Sequence, residues 1–418
     1  MFQMSAELRN TTLYGVILIL IILGITSSSF ADIMDGASIY NTGRIIAEVM
    51  AKSGYWRDIQ DAVDLAASLG IGIVRIPEGT WNFVNVGESW TGARVTIPAG
   101  ISLFGAPTER YPNGSVVEWK TVLVMPWDVP GTVSSAPIWF QIVGDSDPSK
   151  PSRFSDIKLV GYRSFDPTST SMHIGLAIRN IIDFRVDHCR FEHTCDSAIT
   201  VGGHFVRGVI DHCEFVNDYG TVGLTTDAST VKYGIAINRE YYGSETSWEP
   251  DITKVIGQYT NYTVFVEDCY FTKWRHCVTG NKGAHFVVRH CIFENGFSYG
   301  EVDTHPSWLE PNVANRAAEI YENEFRGPSE VLGIGVIQWA SGGGVIFNNT
   351  VASGYPRFIR FGAGNWNATY DPHDIYIWNN NVNTPVFIDG SATEGKDYFL
   401  YKPEWYTPYP YPHPLTSS

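Results

Sequence analysis

Hydrophobic positions along this chain recur in two rhythms. From Asp58 to Leu69 (DIQDAVDLAASL) the apolar residues Ile59, Ala62, Val63, Ala66 and Leu69 fall at i, i+3, i+4, i+7 and i+10. That spacing is one face of a helix, and Gly70 supplies its stop, so residues 57–70 are predicted helical. The rhythm then shortens to strands punctuated by turns. Ile71 to Ile76 reads as a strand, Pro77-Glu78-Gly79 as a turn, Thr80 to Phe83 as a second strand, and Val95 to Gly105 repeats the same grammar.

Beyond residue 150 one short pattern returns again and again: an aliphatic residue, a Cys or Asn three positions later, and an apolar residue two beyond that. It runs Val186-Asp-His-Cys189-Arg-Phe191, Ile210-Asp-His-Cys213-Glu-Phe215, Val266-Glu-Asp-Cys269-Tyr-Phe271 and Val288-Arg-His-Cys291-Ile-Phe293. It continues as Ile320-Tyr-Glu-Asn323-Glu-Phe325, Ile346-Phe-Asn-Asn349-Thr-Val351 and Ile377-Trp-Asn-Asn380-Asn-Val382, and Ile157-Lys-Leu-Val160-Gly-Tyr162 reads as an earlier copy. Spacings of 24 and 22 residues between successive Cys match one turn of a parallel β-helix, while 32, 26 and 31 leave room for longer loops. The gap of 56 between Cys213 and Cys269 calls for an extra coil or an insertion around Tyr241 to Gln258. The predicted fold is all-β, a right-handed parallel β-helix with an N-terminal capping α-helix. Its coils span 71–384 and a closing segment 385–418, so residues 32–418 form one domain that grows along one axis. Leucine-rich and hexapeptide solenoids have other consensus letters and shorter periods.

The run IQDAVDLAASLGIGIVRIPEGTW resembles the opening segment of pectate-lyase-like β-helix proteins, in which a helix covers the open end of the solenoid. The end Tyr406-Thr-Pro-Tyr-Pro-Tyr-Pro-His-Pro-Leu415 is similar to the closing segment of many secreted β-helix proteins. The resemblance implies a protein that handles polysaccharides outside the cell. A leader supports that compartment. Arg9 precedes the apolar run Leu13 to Ile25, and Ser29-Phe30-Ala31 suits cleavage, which makes 1–31 a signal peptide. After its removal no stretch is long enough to span a membrane.

Composition refines this picture. A net charge of −15 repels phosphate backbones, which argues against nucleic acid, and polysaccharide is the expected partner of a monomeric chain. Among 13 Trp, 22 Tyr and 22 Phe, most fill the core and a few can stack on sugar rings. Six Cys in a secreted chain would ordinarily mean three disulfides, but Cys189, Cys213, Cys269 and Cys291 occupy the inward ladder position, and a column of free thiols is expected. Cys195 and Cys277 lie off the ladder.

Two constellations could carry chemistry. Asp187 and Asp211 hold one register on successive coils, about 4.8 Å apart. Such a pair either shifts a pKa or takes up a cation. The Asp-His-Cys segment resembles that of pectate lyases, where the Asp helps bind calcium, so calcium is the expected ion and no organic cofactor is expected. The same tripeptide also serves as a plain turn. The second constellation is denser, with Arg275, His276, Asn281, His285, Arg289, His290, Asp303, His305, Arg316 and Glu319, and four of the chain's 11 His fall in it. Asn281 and Asp303 each lie twelve residues after the ladder Cys of their coil, which predicts that they stack.

A uronate lyase needs a group to neutralise the sugar carboxylate, a base and an acid. Calcium or Arg289, with His276 or His305, could fill those roles. A hydrolase needs two carboxyls, for which Asp303 and Glu319 are the candidates. The pectate-lyase Arg motif and the tandem Gly-Asp-Asp of polygalacturonase-type hydrolases are both missing from the sequence. The expectation is an extracellular polysaccharide-degrading enzyme, lyase before hydrolase, with a non-catalytic glycan-binding or adhesin-type β-helix as the rival. A compact pocket of His, Asp and Arg favours the enzyme, and dispersed residues favour the binder.

Overall fold

The computed structural model describes residues 37–41, 45–89, 92–110, 116–125, 137–145, 147–161, 173–194, 196–217, 233–238, 251–294, 300–305, 315–327, 335–362 and 371–417. The leader and Cys195 lie outside them. Short strands stack into three long sheets of thirteen, ten and ten strands, called here the first, second and third. Every pairing in them is parallel except the N-terminal pair Ala37–Asn41 and Ile45–Met50. A typical coil takes Ser197–Gly202 through the third sheet, Arg207–Asp211 through the first and Glu214–Val216 through the second. This is the right-handed parallel β-helix that the repeat predicts.

The capping helix spans Trp56–Leu69 and buries Ile59, Ala62, Val63 and Ala66, while Leu69 stays half-exposed. Gly70 ends it in the left-handed region at φ 67°, and its N–H donates to the carbonyls of Ala66 and Ala67. The helix covers an unpaired sheet edge with a side chain. Gln60 donates from Nε2 to the Thr96 carbonyl at 3.2 Å and accepts the Thr96 N–H at 2.7 Å. Its amide thus stands where the next strand of the third sheet would be.

The corner between the first and second sheets explains the recurring motif. His188, His212, Asp268, His290, Glu322, Asn348 and Asn379 all have φ between 51° and 57°, a left-handed corner one residue before each ladder position. Asp and Asn enter that region more easily than most residues, and His does so too, which is why Asp-His-Cys recurs as a turn. The ladder residue then points inward. The thiols of Cys189, Cys213, Cys269 and Cys291 reach the carbonyls of Phe154, Val186, Ile210 and Val266 at 3.6–3.7 Å. The Nδ2 groups of Asn323, Asn349 and Asn380 donate to Val288, Ile320 and Ile346 at 2.9–3.0 Å. These carbonyls hold equivalent positions one coil back, so Cys and Asn share one donor role. Asn does more, because its Oδ1 also accepts the N–H of the ladder residue below it. The four ladder Cys and Cys277 are free and buried.

Two residues past each ladder position, Phe191, Phe215, Phe271, Phe293 and Phe325 stack with centroids 4.6–5.3 Å apart. Full burial of each such ring is worth about 1.5–3 kcal/mol. The earliest copy of the motif is placed three residues from where the pattern put it. Asp156 takes the left-handed corner and Leu159 pairs with Phe191, so Ile157 and not Val160 holds the ladder position. The gap between Cys213 and Cys269 holds an insertion and no extra coil, since Arg207–Asp211 pairs directly with Thr263–Glu267. Strands also continue past residue 384, with Val386–Gly390 in the third sheet and Tyr398–Phe399 in the first.

The last segment turns back along the outside of the first sheet. Tyr406 packs among Val287, Ala317, Tyr321, Val345 and Phe347, Tyr409 and His413 lie against Phe265, and Tyr411 stacks on His290 at 3.6 Å. Among the described residues, no helix is long and apolar enough to cross a membrane.

Candidate active site

In the middle of the third sheet Val278, Val302 and Ile337 point into the core. Their neighbours Thr279, Asp303 and Gln338, paired in register, therefore point outward. Asp303 is nonetheless fully buried, because two imidazoles close over it. His305, two residues on, places Nδ1 2.8 Å from Asp303 Oδ2. His276, from the neighbouring strand His276–Asn281, places Nε2 3.8 Å from the same oxygen. Thr279 Oγ1 donates to Oδ2 at 3.0 Å, and Asp303 Oδ1 has no hydrogen-bond partner. Tyr233, in register with His276 one coil back, lies along the His276 ring at 5.9 Å.

Charge at this cluster follows from its burial. Burial pushes the His276 imidazole down to about 4 against the pull of Asp303, so His276 is neutral at physiological pH. Burial alone would raise the Asp303 carboxyl, but His276, His305 and the hydrogen bond from Thr279 outweigh it and hold the group below the usual carboxylate range. A carbonyl can only accept, so the contact of His276 Nδ1 with the Gly300 carbonyl at 3.0 Å puts the imidazole proton on Nδ1. The Nε2 lone pair is then turned toward Asp303.

The other expected residues lie elsewhere. Asp303 pairs with Thr279, two residues away from Asn281, because the connection before Val302–Thr304 is longer than the one before His276–Asn281 and equal counting from the ladder misaligns the two strands. His285, Arg289 and Glu319 stand on the first sheet beneath the C-terminal segment. Arg289 is fully buried, with Nη2 2.7 Å from Glu267 Oε2, Nη1 donating to the Tyr409 carbonyl and to Tyr321, and Nη2 donating to the Pro410 carbonyl. Glu319 accepts from the Gly257 N–H and from the Tyr406 hydroxyl, both at 2.8 Å, and lies 3.1 Å from His285 Nε2. These three residues fasten the insertion and the C-terminal segment to the coils. They do not join Asp303 in one site, and the hydrolase pair Asp303 and Glu319 is split between two sheets. Arg316 is buried in the connection just before Ala317–Tyr321.

Asp187 and Asp211 do stack in register on the first sheet. Their repulsion is answered by arginine. Arg153 makes two bonds to Asp187 at 2.7 and 2.8 Å, and Arg185 makes two to Asp211 at 2.9 Å. Both carboxylates are fully buried and His188 and His212 cap them, so the charge that pointed to calcium is already balanced. Sequence reasoning had no signal for Thr279, for the Gly300 carbonyl or for the cover that Tyr406, Tyr409 and His413 provide, since each reaches its partner through the fold and not through a local pattern.

No family model matches the chain, and no curated protein matches it. Solved structures do. The catalytic unit of a thermostable GH87 alpha-1,3-glucanase from Streptomyces thermodiastaticus strain HF3-3 aligns with TM-score 0.50 at 14% identity, over 87% of this chain. A tailspike protein of E. coli bacteriophage HK620, in complex with pentasaccharide, aligns with TM-score 0.51 at 14% identity, also over 87%. This chain spans 61% of the length of each. They share its fold. An alginate lyase from Paenibacillus sp. str. FPU-7 is similar over 99% of its own length at 10% identity, with TM-score 0.45.

Proposed function

We propose that the protein is an extracellular glycan-processing β-helix whose reaction centre is the His276–Asp303–His305 cluster, acting on uronate-containing polysaccharide by β-elimination. One observation carries the reading: a buried, ionised carboxylate faces outward between two imidazoles at the middle of a sheet. Asp187 and Asp211 are buried too, but arginines balance them, whereas Asp303 is met by imidazoles and Thr279 and keeps one oxygen without a hydrogen bond. Asp303 orients His305, which is part-exposed at 18% of its side chain, and stabilises the charge that His305 gains on taking a proton. The folds of a glucanase and of a tailspike bound to a pentasaccharide agree with a glycan partner. Compactness of the three residues favours the enzyme over the adhesin, and the removal of Glu319 from the site lowers the hydrolase reading. Arg289 is sealed beneath the C-terminal segment and so is not the group that neutralises a substrate carboxylate.

The test incubates the full-length mature protein with a panel of uronate and neutral polysaccharides. Ultraviolet absorbance of unsaturated products and new reducing ends are followed together. Both signals are expected, and Asp303→Asn and His305→Gln should each remove them while the protein stays folded. Reducing ends without absorbance would replace the lyase with a hydrolase, and no product from any glycan would leave a binding protein.

A further inference from the structure

The geometry points to a second property of the same cluster: His276, Asp303 and His305 form a binding site for one divalent transition-metal ion of the zinc class. The inference deepens the proposed function and rests on it only for what the ion does there, not for whether it binds.

Three independent observations support the site. The first is distance. One ligand atom from each residue lies within 4.8 Å of the other two. The edges of 2.8 Å (His305 Nδ1 to Asp303 Oδ2, a hydrogen bond whose proton the ion would displace) and 3.8 Å (His276 Nε2 to Asp303 Oδ2) bracket the edge that a tetrahedral or octahedral ion requires. For bonds of about 2.0–2.1 Å that edge is roughly 3.0–3.4 Å.

The second observation is orientation. His276 gives its Nδ1 proton to the Gly300 carbonyl and turns the Nε2 lone pair inward, which is how a metal-binding imidazole is held by its outer partner. Thr279 holds the Asp303 carboxylate in the same way. The His276 Nε2 lone pair and Asp303 Oδ2 lie 3.8 Å apart, and a cation between them would bond to both.

The third is the carboxylate itself. Asp303 Oδ1, the other oxygen of the carboxylate whose Oδ2 sets the distances above, is buried and makes no hydrogen bond, so the carboxylate has the capacity to hold an ion through both oxygens. An unmet buried carboxylate oxygen is costly, and an ion is the partner that answers it.

Two imidazoles and one carboxylate suit zinc, iron, nickel or cobalt, whereas calcium and magnesium prefer an all-oxygen shell. Three protein ligands leave at least one position open. There the ion could take the substrate carboxylate, and a metal-bound hydroxide on a further open position would accept the proton and become water, with the imidazoles serving as ligands.

The experiment strips the full-length protein with chelator and titrates it with Co(II), Zn(II) and Ca(II). Metal content is measured after dialysis and the Co(II) ligand-field spectrum is recorded. One equivalent of Co(II) or Zn(II) should bind, with a visible spectrum of nitrogen and oxygen ligation and with at least tenfold preference over Ca(II). His305→Ala, at the part-exposed member, should weaken binding at least tenfold with unchanged circular dichroism, and Asp303→Asn is the second variant. Less than stoichiometric binding, equal affinity for Ca(II), or binding untouched by both variants would overturn the site. None of these readouts uses a polysaccharide, so an inactive protein that binds Co(II) refutes the proposed reaction alone. An active protein that binds no metal refutes the ion alone.

Discussion

Arg289 and Glu267 form an ion pair that neither solvent nor substrate reaches: Nη2 lies 2.7 Å from Oε2, both side chains are fully buried, and the backbone of Tyr409 and Pro410 closes over the guanidinium. Removing one partner from such a pair leaves the other charged and unmatched. Arg289→Met should therefore cost about 3–5 kcal/mol of stability in urea denaturation, and the C-terminal segment should become the first site of proteolysis. Arg289→Met/Glu267→Gln should cost less than the single change. Below its melting temperature the single variant should keep whatever polysaccharide-cleaving activity the wild type has, because the pair lies on another sheet from Asp303.

Acid should loosen the same segment. His413 is buried against Phe265, its Nδ1 accepts the Leu415 N–H, and burial with the nearby Arg289 pushes the imidazole down to about 4, against the pull of Asp183 and Asp211 and with a further push from Arg207. A histidine with a lowered folded pKa takes its proton first in the unfolded chain. Stability is thus full above about pH 6.5 and falls as the pH drops toward 4, by about 1.4 kcal/mol per unit for each such group. His276 adds an equal share. Melting curves between pH 7 and 4 should show this slope, and His413→Gln should remove about half of what the two histidines contribute.

The Asp187 carboxyl gives the opposite case. Burial works to raise its pKa, but His188, Arg153 and Arg185 hold it well below the usual carboxylate range. Its contribution is present above about pH 3.9 and is lost only as the pH falls through the folded value. Asp187→Asn should lower stability by about 2 kcal/mol at pH 7. Millimolar calcium should leave the melting temperature of both proteins unchanged, since Arg153 already occupies the carboxylate.

The ladder makes a graded prediction. Asn349 donates to the Ile320 carbonyl and to Asn380, and its Oδ1 accepts the N–H and the Nδ2 of Asn323. Asn349→Cys keeps a donor for Ile320 but strands the Asn323 N–H, at a cost of about 1–3 kcal/mol. Asn349→Leu strands the carbonyl as well and should cost more. Urea midpoints would order the three proteins, and equal midpoints for the two variants would show that the shared donor role contributes nothing.

The fold was legible because its determinants are local and repeated. The corner, the inward Cys or Asn and the stacked Phe sit at fixed offsets in each copy, so Cys189, Cys213 and Asn323 announce the coil without reference to distant residues. The capping helix was legible for the same reason, through the spacing of Ile59, Ala62 and Val63. Legibility failed where coil length varies. Asn281 and Asp303 share an offset from their ladder Cys, yet unequal connections put them two residues out of register. The dense run from His276 to Glu319 spans more than one coil, so its members are dealt out to different sheets. His276, Asp303 and His305 meet on the third, while His285, Arg289 and Glu319 land on the first. That the latter three are covered depends on residues more than 85 positions away, as in the bond from Tyr406 to Glu319, and no local pattern carries that information.

The returning C-terminal segment also has a consequence for biosynthesis. Coils of a β-helix can pack one after another as the chain leaves the ribosome, each on the last. The outer face of the first sheet cannot be finished that way, because Glu267 receives its bond from the His413 N–H and Arg289 its bonds from Tyr409 and Pro410. Until those residues are made, the middle coils hold a wet, half-neutralised charge pair and an open strip around Phe265 and Phe347. The centre of the molecule is sealed by residues that follow all of its coils, and a nascent chain stalled before residue 406 would carry those coils and still expose its stickiest surface.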